Sequence, residues 1–184
     1  MHQKAGFVVT DSLNIRDVQS QDISAIAKIY AHAVENGTAS FELVAPDEVE
    51  IFKRYDAILA GSFPYIVAVK ENKVVGYAYA NSFRPRLAYQ WSVENSVYIA
   101  PDAQGVGVGR ALLTHLIIEC ELKGYRQMLA VIGGAEHEAS IQLHISLGFK
   151  HAGQMIGVGW KHGKWHDSVV MQRSLGEGAT TSPE

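Results

Sequence analysis

A glycine-rich stretch ahead of a helical pattern restricts the fold more than any other feature of the chain. Residues 104–112 read QGVGVGRAL, and apolar residues recur after them at helical spacing. Glycine loses more backbone freedom on folding than other residues, so three glycines at alternate positions need a physical reason. A strand, a glycine turn and a helix start bring unpaired N–H groups and the positive helix end together. The stretch therefore predicts a site for a phosphate-like anion.

Two common phosphate-binding motifs do not fit this stretch. A P-loop needs Gly-Lys-Ser/Thr, whereas Arg110 and Ala111 follow Gly109. The dinucleotide pattern G-x-G-x-x-G is not met either, and no acidic residue ends the next strand pattern, LAVIGG. A loop that is rich in glycine only because it turns tightly remains an alternative on these residues alone.

Length and composition limit the class of protein. The 184 residues, 47% of them hydrophobic, fit one domain that buries roughly 70% of its unfolded surface. The 16 basic and 19 acidic residues are scattered, with no basic cluster for nucleic acid or an anionic membrane. No apolar run approaches the ~20 residues of a membrane span. We expect one domain at residues 13–175, a flexible segment at 1–12 and a disordered tail at 176–184.

The cysteine content indicates a compartment. Cys120 is the only cysteine, so no disulfide can form within the chain. Its neighbours Leu116, Ile117 and Leu122 predict a buried thiol rather than a nucleophile. A reducing cytoplasm is the simplest location that fits.

Hydrophobic periodicity predicts strands that come first as a meander and later alternate with helices. Helices are predicted after Asp22 as N-cap, from about Asp47 to Leu59, and at 107–124 and 137–147. Strands are predicted at 13–16, 64–70, 74–83, 88–100, 127–134, 153–160 and 166–175. This order predicts a mixed α/β fold of the α+β type, with a sheet flanked by helices.

The stretch SVYIAPDAQGVGVGRALL resembles the signature of the GNAT acyltransferase superfamily, Gln/Arg-x-x-Gly-x-Gly/Ala after a strand. Here Gln104, Gly107 and Gly109 meet it. The resemblance implies the GNAT fold: a mostly antiparallel twisted sheet flanked by helices, in which two splayed strands form the acetyl-CoA cleft. We expect no metal cofactor.

The same resemblance implies how acetyl-CoA is bound. The amides of residues 105–110 would bind its diphosphate, and the strand before the loop would pair with the pantetheine arm like an added strand. One of the strand amides would polarise the thioester carbonyl. The implied cofactor-binding residues are Val97, Tyr98, Ile99, Gln104, Gly105, Val106, Gly107, Val108, Gly109, Arg110, His137 and Ser140.

Three motifs in order resemble the phosphinothricin and methionine sulfoximine N-acetyltransferase family more closely. They are RPRLAYQWSVENSVYI, ASIQLHISLGF and WKHGKWHD, and the similarity covers roughly residues 13–174. His137 stands where that family usually has Asn, so we expect an altered cofactor contact there. The resemblance implies a homodimer and an amino acid analogue as the small-molecule substrate.

Two residues are candidates for proton transfer. Glu94 matches the family's catalytic carboxylate and lies among apolar strand residues, where burial would raise its pKa toward the value that suits a base near neutrality. An outward-facing, solvated carboxylate is the alternative. His144, in SIQLHISLGF, would protonate the departing thiolate or only hydrogen-bond the acceptor or cofactor. A lone histidine on a helix is also often structural.

Acceptor-binding residues are predicted around the same strand. Arg84 and Arg86 flank Pro85, and a guanidinium binds carboxylates and phosphinates in a bidentate manner. Arg84 matches the family's substrate-binding arginine, whereas two solvated arginines are the alternative. Asn95 and Ser96 would contact the acceptor through their backbone. Aromatic residues that would wall the pocket, or simply belong to the core, are Phe41, Tyr89 and Trp91.

The histidine-rich segment WKHGKWHD raises the question of a metal site. His162 and His166 are four residues apart, but Gly163 disfavours a helix between them and no third ligand follows at zinc spacing. The segment instead predicts a turn between the last two strands, reaching a partner subunit or the site mouth.

The leading functional hypothesis is an acetyl-CoA-dependent N-acetyltransferase for the α-amine of a small amino acid analogue, by direct attack in a ternary complex. A second reading is acetylation of another primary amine, such as a polyamine or a peptide N-terminus. A third is a non-catalytic CoA-binding module, which the presence of Glu94 disfavours.

Overall fold

Seven strands form one sheet in the computed structural model, which describes residues 13–134 and 138–183. The strands are β1 Asn14–Asp17, β2 Tyr65–Lys70, β3 Lys73–Ser82, β4 Ser92–Ile99, β5 Gln127–Gly133, β6 Lys150–Lys161 and β7 Lys164–Ser174. The α-helices of the described residues are α1 Ile23–Asn36, α2 Glu48–Ala60, α3 Val108–Leu122 and α4 Glu138–Ser146. The order across the sheet is β1-β2-β3-β4-β5-β7-β6.

The sheet opens between β4 and β5. These two strands form its one parallel pair in the described chain, and their ladder ends where Glu94 faces Leu129. Strand β4 nevertheless continues to Ile99, paired along that length only with β3. The edge of β4 beyond Glu94 is therefore free on the β5 side. This confirms the mixed, mostly antiparallel sheet and its splayed strands.

Helices cover both faces of the sheet. On one face α3 buries Leu112, Leu113 and Leu116 completely, in a cluster that includes Val93 of β4. On the other face α1 and α2 pack over a cluster that contains Tyr77. Because side chains alternate along a strand, successive residues of β4 face opposite layers.

The entrance to α1 differs from the prediction. Asp22 precedes the helix as expected, but its side chain makes no capping bond to α1. Its two carboxylate oxygens accept from Arg16, at 2.6 and 2.9 Å, and one also accepts from the N–H of Gln19 at 2.8 Å. A charged bidentate pair outcompetes a neutral cap, so the carboxylate joins β1 to the turn before the helix. Asp47 does cap α2, accepting from the N–H of Glu50 at 2.8 Å.

The strand predicted at 88–100 is shorter in the structure. Residues 87–89 form a 3-10 turn in which the N–H groups of Tyr89 and Gln90 bond to Arg86 and Leu87. These local bonds replace a strand partner, so β4 begins only at Ser92. The other predicted elements begin and end within about three residues of those observed, wherever the ends are described.

The segment after β7, predicted to be disordered, makes defined contacts. The Arg126 guanidinium lies 3.4 Å from the Glu177 carboxylate and donates to Thr181 Oγ1 at 3.2 Å and to the Ser182 carbonyl at 3.3 Å. The segment 1–12, predicted to be flexible, lies outside the described residues.

Cys120 is fully buried in α3, as predicted, and burial raises the pKa of its thiol to about 12. The thiolate is therefore scarce near neutral pH, and the residue acts as a core side chain. None of the helices within residues 13–134 and 138–183 has the length and apolar character needed to cross a membrane.

Candidate active site

A cleft of about 700 Å³ opens where β4 and β5 separate. It is lined from both layers of the fold: by β4 and β5, by the glycine loop and α3, by α4, and by the loop that follows α1. The lining includes Glu94 and His144 together with Gly105 and Gly107. The structure thus brings the two proton-transfer candidates and the glycine loop into one cavity.

Two glycines of the loop have backbone conformations that suit glycine alone. Gly105 has φ of 74°, and Gly107, the residue before α3, has φ of 92°. A Cβ at either position would meet no atom within 4 Å, so the space above them is open. The first bond of the helix runs from the N–H of Ala111 to the Gly107 carbonyl, and the preceding amides have no carbonyl within the helix to bond. The loop is thus a cradle of backbone amides beside open space.

Gly109 has a different role from the other two. A Cβ there would lie 3.2 Å from Cδ2 of Leu143 on α4. The glycine therefore lets α3 approach α4 closely, which is a packing function that the sequence did not indicate.

Most predicted cofactor-binding residues line the cleft. The ones that do are Val97, Tyr98, Ile99, Gln104, Gly105, Gly107, Gly109, Arg110 and Ser140. The side chains of Val106 and Val108 do not, because Val106 is 70% exposed and Val108 is buried in the core under α3. His137 lies outside the described residues.

Glu94 stands at the last rung of the β4–β5 ladder, with Asn81 of β3 on its other side. Burial raises the pKa of its carboxyl, and the charge of Arg84 lowers it in part. Within the described residues no hydrogen bond to the carboxylate is found. The direction of the pKa shift agrees with the prediction for a general base, and the carboxylate is free to bond a ligand.

His144 is buried in α4 with both ring nitrogens engaged. Its Nδ1 lies 2.7 Å from the Ser140 carbonyl, and its Nε2 lies 3.1 Å from Asn95 Oδ1. The Phe149 ring packs edge-on against it at 4.9 Å between centroids. Burial lowers the pKa of His144, while the Ser140 carbonyl raises it. The Asn95 contact was not foreseen, because nothing in the sequence relates a β4 side chain to α4.

The predicted acceptor residues divide into two groups. Those that line the cleft are Phe41, Glu94, Asn95 and Ser96. Those that lie on the exposed segment before β4, and do not line it, are Arg84, Pro85, Arg86 and Tyr89. Arg84 is nevertheless near enough for its charge to act on Glu94, and its guanidinium lies 5.0 Å from the Phe83 ring centroid.

The loop that carries Phe41 is fixed by contacts that sequence reasoning missed. A Cβ at Gly133 would lie 3.0 Å from Cε1 of Phe41, and one at Gly159 would overlap the same ring. Lys161, almost fully buried, donates to the Ser40 carbonyl at 2.7 Å. Glycines on two strands therefore make room for this aromatic wall. The pair Gly133-Gly134 at the end of an apolar strand was the available signal.

The histidine-rich segment forms the predicted turn. His162 and Gly163 connect β6 to β7, and Lys161 pairs with Lys164. His162 Nε2 faces the Gly37 carbonyl at 3.3 Å, whereas His166 Nε2 faces the Lys161 carbonyl at 3.0 Å. In the part of the chain that the structure describes, no group of three or more potential metal ligands is placed to hold an ion.

Comparison with known proteins identifies the family. The "Acetyltransferase (GNAT) domain" family matches residues 15–170, nearly the whole described chain. The chain belongs to the GNAT acetyltransferase family. This acetyltransferase is 50% identical over 170 residues to a phosphinothricin N-acetyltransferase of Alcaligenes faecalis, covering 92% of this chain and 86% of the relative. It is 38% identical to the L-methionine sulfoximine/L-methionine sulfone acetyltransferase of Salmonella typhimurium, with 91% and 97% covered.

A solved structure shares the architecture of this acetyltransferase. The crystal structure of a GNAT superfamily phosphinothricin acetyltransferase from Sinorhizobium meliloti, in complex with AcCoA, superposes with a TM-score of 0.91. It is 46% identical, and the match covers 94% of this chain and 93% of the other. The cradle at Gly105 and Gly107, with open space above it, fits a ligand that carries a diphosphate.

Proposed function

We propose that this acetyltransferase transfers the acetyl group of acetyl-CoA to the α-amine of small amino acid analogues. Phosphinothricin, L-methionine sulfoximine and L-methionine sulfone are the acceptors named by its relatives. Detoxification of such analogues would be its role. One observation carries the proposal: β4 and β5 separate directly after Glu94, so a carboxylate of raised pKa and the glycine cradle share one cleft.

The cofactor half of the cleft would be built from backbone. Acetyl-CoA supplies the acetyl group as a thioester. The amides of residues 105–110 would bond its diphosphate, aided by the positive end of α3. The free edge of β4 at Val97, Tyr98 and Ile99 would pair with the pantetheine arm, and one amide there would polarise the thioester carbonyl.

The proton transfers would use the two titratable side chains in the cleft. Glu94 accepts the proton that the amine loses as its nitrogen bonds to the acetyl carbon. Its raised pKa makes it a stronger base than an exposed glutamate. His144 donates a proton to the thiolate released when the carbon–sulfur bond breaks. Glu94 thus takes up the proton of the amine, and His144 supplies a different proton to the thiolate.

Recognition of the acceptor would combine an aromatic side chain with two guanidinium groups. Phe41 borders the cleft and would contact the apolar part of the side chain. Arg84 and Arg86 would bind the α-carboxylate or the oxyanionic side group, since guanidinium matches both in geometry. The influence of Arg84 on the Glu94 pKa supports its proximity to the reacting amine.

An acetyl-transfer assay tests the proposal. Purified protein with labelled acetyl-CoA should acetylate phosphinothricin or methionine sulfoximine, and Glu94→Gln should lower kcat by about 10²–10⁴ because a positioned base contributes that much. The exposed Glu35→Gln, a matched charge removal on α1, should leave kcat unchanged. Absence of product with either analogue, together with turnover of spermidine or a peptide amine, would refute the substrate assignment. Unchanged kcat in Glu94→Gln would refute the base.

We propose in addition that the protein is a homodimer joined through the β6 side of the sheet. Strand β6 is an edge strand, and its apolar side chains are solvent-exposed: Ile156 at 74%, Val158 at 51% and Trp160 at 54%. Trp165 of β7 packs against Trp160 and is 65% exposed. Such a patch on an edge strand is costly in a monomer, and a second copy would cover it. Light scattering should give twice the chain mass of 20.1 kDa, and Ile156→Lys should shift the mass toward that of one chain.

We also propose that the protein resides in the cytoplasm. The single buried thiol of Cys120 supports a reducing compartment. Fractionation of cells that express the protein would test this, and recovery from a secreted or membrane fraction would contradict it.

A further inference from the structure

Two side chains, through three contacts, link two backbone carbonyls across the opened sheet. The Ser140 carbonyl of α4 lies 2.7 Å from His144 Nδ1, and His144 Nε2 lies 3.1 Å from Asn95 Oδ1. Asn95 Nδ2 in turn donates to the Leu129 carbonyl of β5 at 2.9 Å. His144 is 4% exposed and Asn95 is 7% exposed, so solvent does not replace these bonds.

The Leu129 carbonyl determines the orientation of the Asn95 amide. A carbonyl oxygen only accepts hydrogen bonds, so the NH₂ group of Asn95 must face it. The amide oxygen is then directed at His144. Leu129 is also the residue at which the ladder between β4 and β5 ends, so the Asn95 side chain continues the bonding where the backbone ladder stops.

Each ring nitrogen of His144 faces an oxygen atom that accepts hydrogen bonds. The Ser140 carbonyl accepts, so Nδ1 of His144 carries a hydrogen. The Asn95 amide oxygen also accepts, so Nε2 must carry a hydrogen as well for the 3.1 Å contact to be a bond. A neutral imidazole has a single N–H, whereas the doubly protonated ring has two. The two acceptors therefore favour the imidazolium form, whereas burial, the larger influence on the His144 pKa, disfavours it.

We propose that Asn95 is a positioning residue that keeps a proton on Nε2 of His144 in the ligand-free enzyme. This rests on the proposed function, in which His144 donates a proton to the leaving thiolate. Burial lowers the pKa of His144 and thereby favours the neutral ring. The amide oxygen of Asn95, 3.1 Å from Nε2, opposes that loss.

Four charged groups belong to the described elements around His144, and all of them except Glu94 are hydrogen-bonded to other residues. They are Glu94 on β4, Arg110 of α3, which donates to Ser146, Glu138, which accepts from Gln142, and Arg173 of β7, which donates to the Leu147 carbonyl. The causes of the His144 pKa shift are burial and the Ser140 carbonyl. The acceptor role of Asn95 is thus the interaction that remains to retain the Nε2 proton.

Two substitutions at Asn95 separate proton retention from simple packing. Asn95→Leu removes the acceptor, and the His144 pKa should fall by about 1–2 units, the shift that loss of a hydrogen bond to a charged group produces. Asn95→Asp places a carboxylate near the ring and should raise it. The pKa is measured by NMR titration of the histidine rings without substrate, with His144→Gln to assign the signal. The control Asn14→Leu, at an exposed position of strand β1, should leave the His144 pKa unchanged.

A lower His144 pKa in Asn95→Leu and a higher one in Asn95→Asp would support the proposal. A packing defect would not shift the His144 pKa in opposite directions in the two variants. If Asn95→Asp does not fold, the sign in Asn95→Leu decides alone. An unchanged or higher His144 pKa in Asn95→Leu overturns the proposal. The measurement needs no acetyl transfer, so an inactive enzyme with the expected pKa shifts would refute the proposed function and leave the role of Asn95 intact.

Discussion

Replacement of Gly107 by alanine separates the backbone requirement of the loop from its contact with a ligand. Gly107 has φ of 92°, a left-handed conformation that costs an ordinary residue about 1–2 kcal/mol. A new Cβ meets no atom within 4 Å, so no steric clash adds to this cost. Alanine also reduces the entropy of the unfolded chain, which offsets about 0.4–1 kcal/mol. The net loss of stability should be about 1 kcal/mol, or a Tm lower by about 2–4 °C.

The affinity for acetyl-CoA should change far more than the stability. The Cβ of alanine at Gly107 would occupy the open space from which a diphosphate reaches the amides. Loss of even one hydrogen bond to a charged group costs about 1.5–3 kcal/mol, so Kd measured by calorimetry should rise at least about tenfold.

The chain offers a matched control at the other end of the same helix. Gly124 has φ of 83°, and a Cβ there also meets nothing within 4 Å. It follows α3, about 22 Å from the helix start by the helical rise, and does not line the cleft. Gly124→Ala should therefore lower Tm equally and leave Kd unchanged. Equal Kd values for Gly107→Ala and the wild-type enzyme, or an equal loss of affinity in Gly124→Ala, would refute the cradle.

Three further predictions follow from the geometry of the site and core. The charge of Arg84 lowers the Glu94 pKa, so Arg84→Gln should raise it. Because a general base must be deprotonated, the acidic limb of the kcat/KM pH profile should then move to higher pH. An acidic limb at the wild-type pH would contradict this. Leu116→Ala, at a fully buried position, should cost about 2–5 kcal/mol in denaturant unfolding, whereas Leu122→Ala, 78% exposed on the same helix, should stay within about 0.5 kcal/mol. The hydrogen bond from Arg16 lowers the pKa of Asp22 in the folded state, so the carboxylate's contribution to stability is present above the unfolded pKa of about 3.9 and is lost as pH falls through the folded pKa. The difference in unfolding free energy between the wild type and Asp22→Asn should therefore shrink over that pH range. A difference that stays constant with pH would exclude this linkage.

Local patterns were sufficient for the elements and for one half of the site. The apolar spacing of α3 and the glycines before it have local causes, and the resemblance identified the strand at Val97 and Ile99 as the cofactor edge. In the structure α3 begins directly after Gly107 and the β4 edge is free beyond Glu94, whereas the cofactor contact of that edge stays a prediction. The family assignment and the acetyltransferase fold were therefore predictable.

Contacts between distant segments were not predictable from one sequence. The alternation across 88–100 does not reveal that residues 87–89 bond locally, because strand periodicity carries no information about a partner. Asn95 and His144 are 49 residues apart, and only the tertiary packing brings α4 to β4. The bond between Lys161 and Ser40 joins segments 121 residues apart and is equally invisible in local patterns.

The separation of β4 and β5 explains how two neighbouring residues serve one cavity from opposite sides. In a continuous sheet, consecutive side chains face different layers and cannot reach the same cleft. Glu94 and Asn95 do so here because the ladder ends at Glu94, and the cleft passes between the strands. In the proposed mechanism the Glu94 carboxylate would accept a proton from the acceptor amine, while the Asn95 amide contacts His144. The open strand edge is therefore a condition for both of the proposed roles.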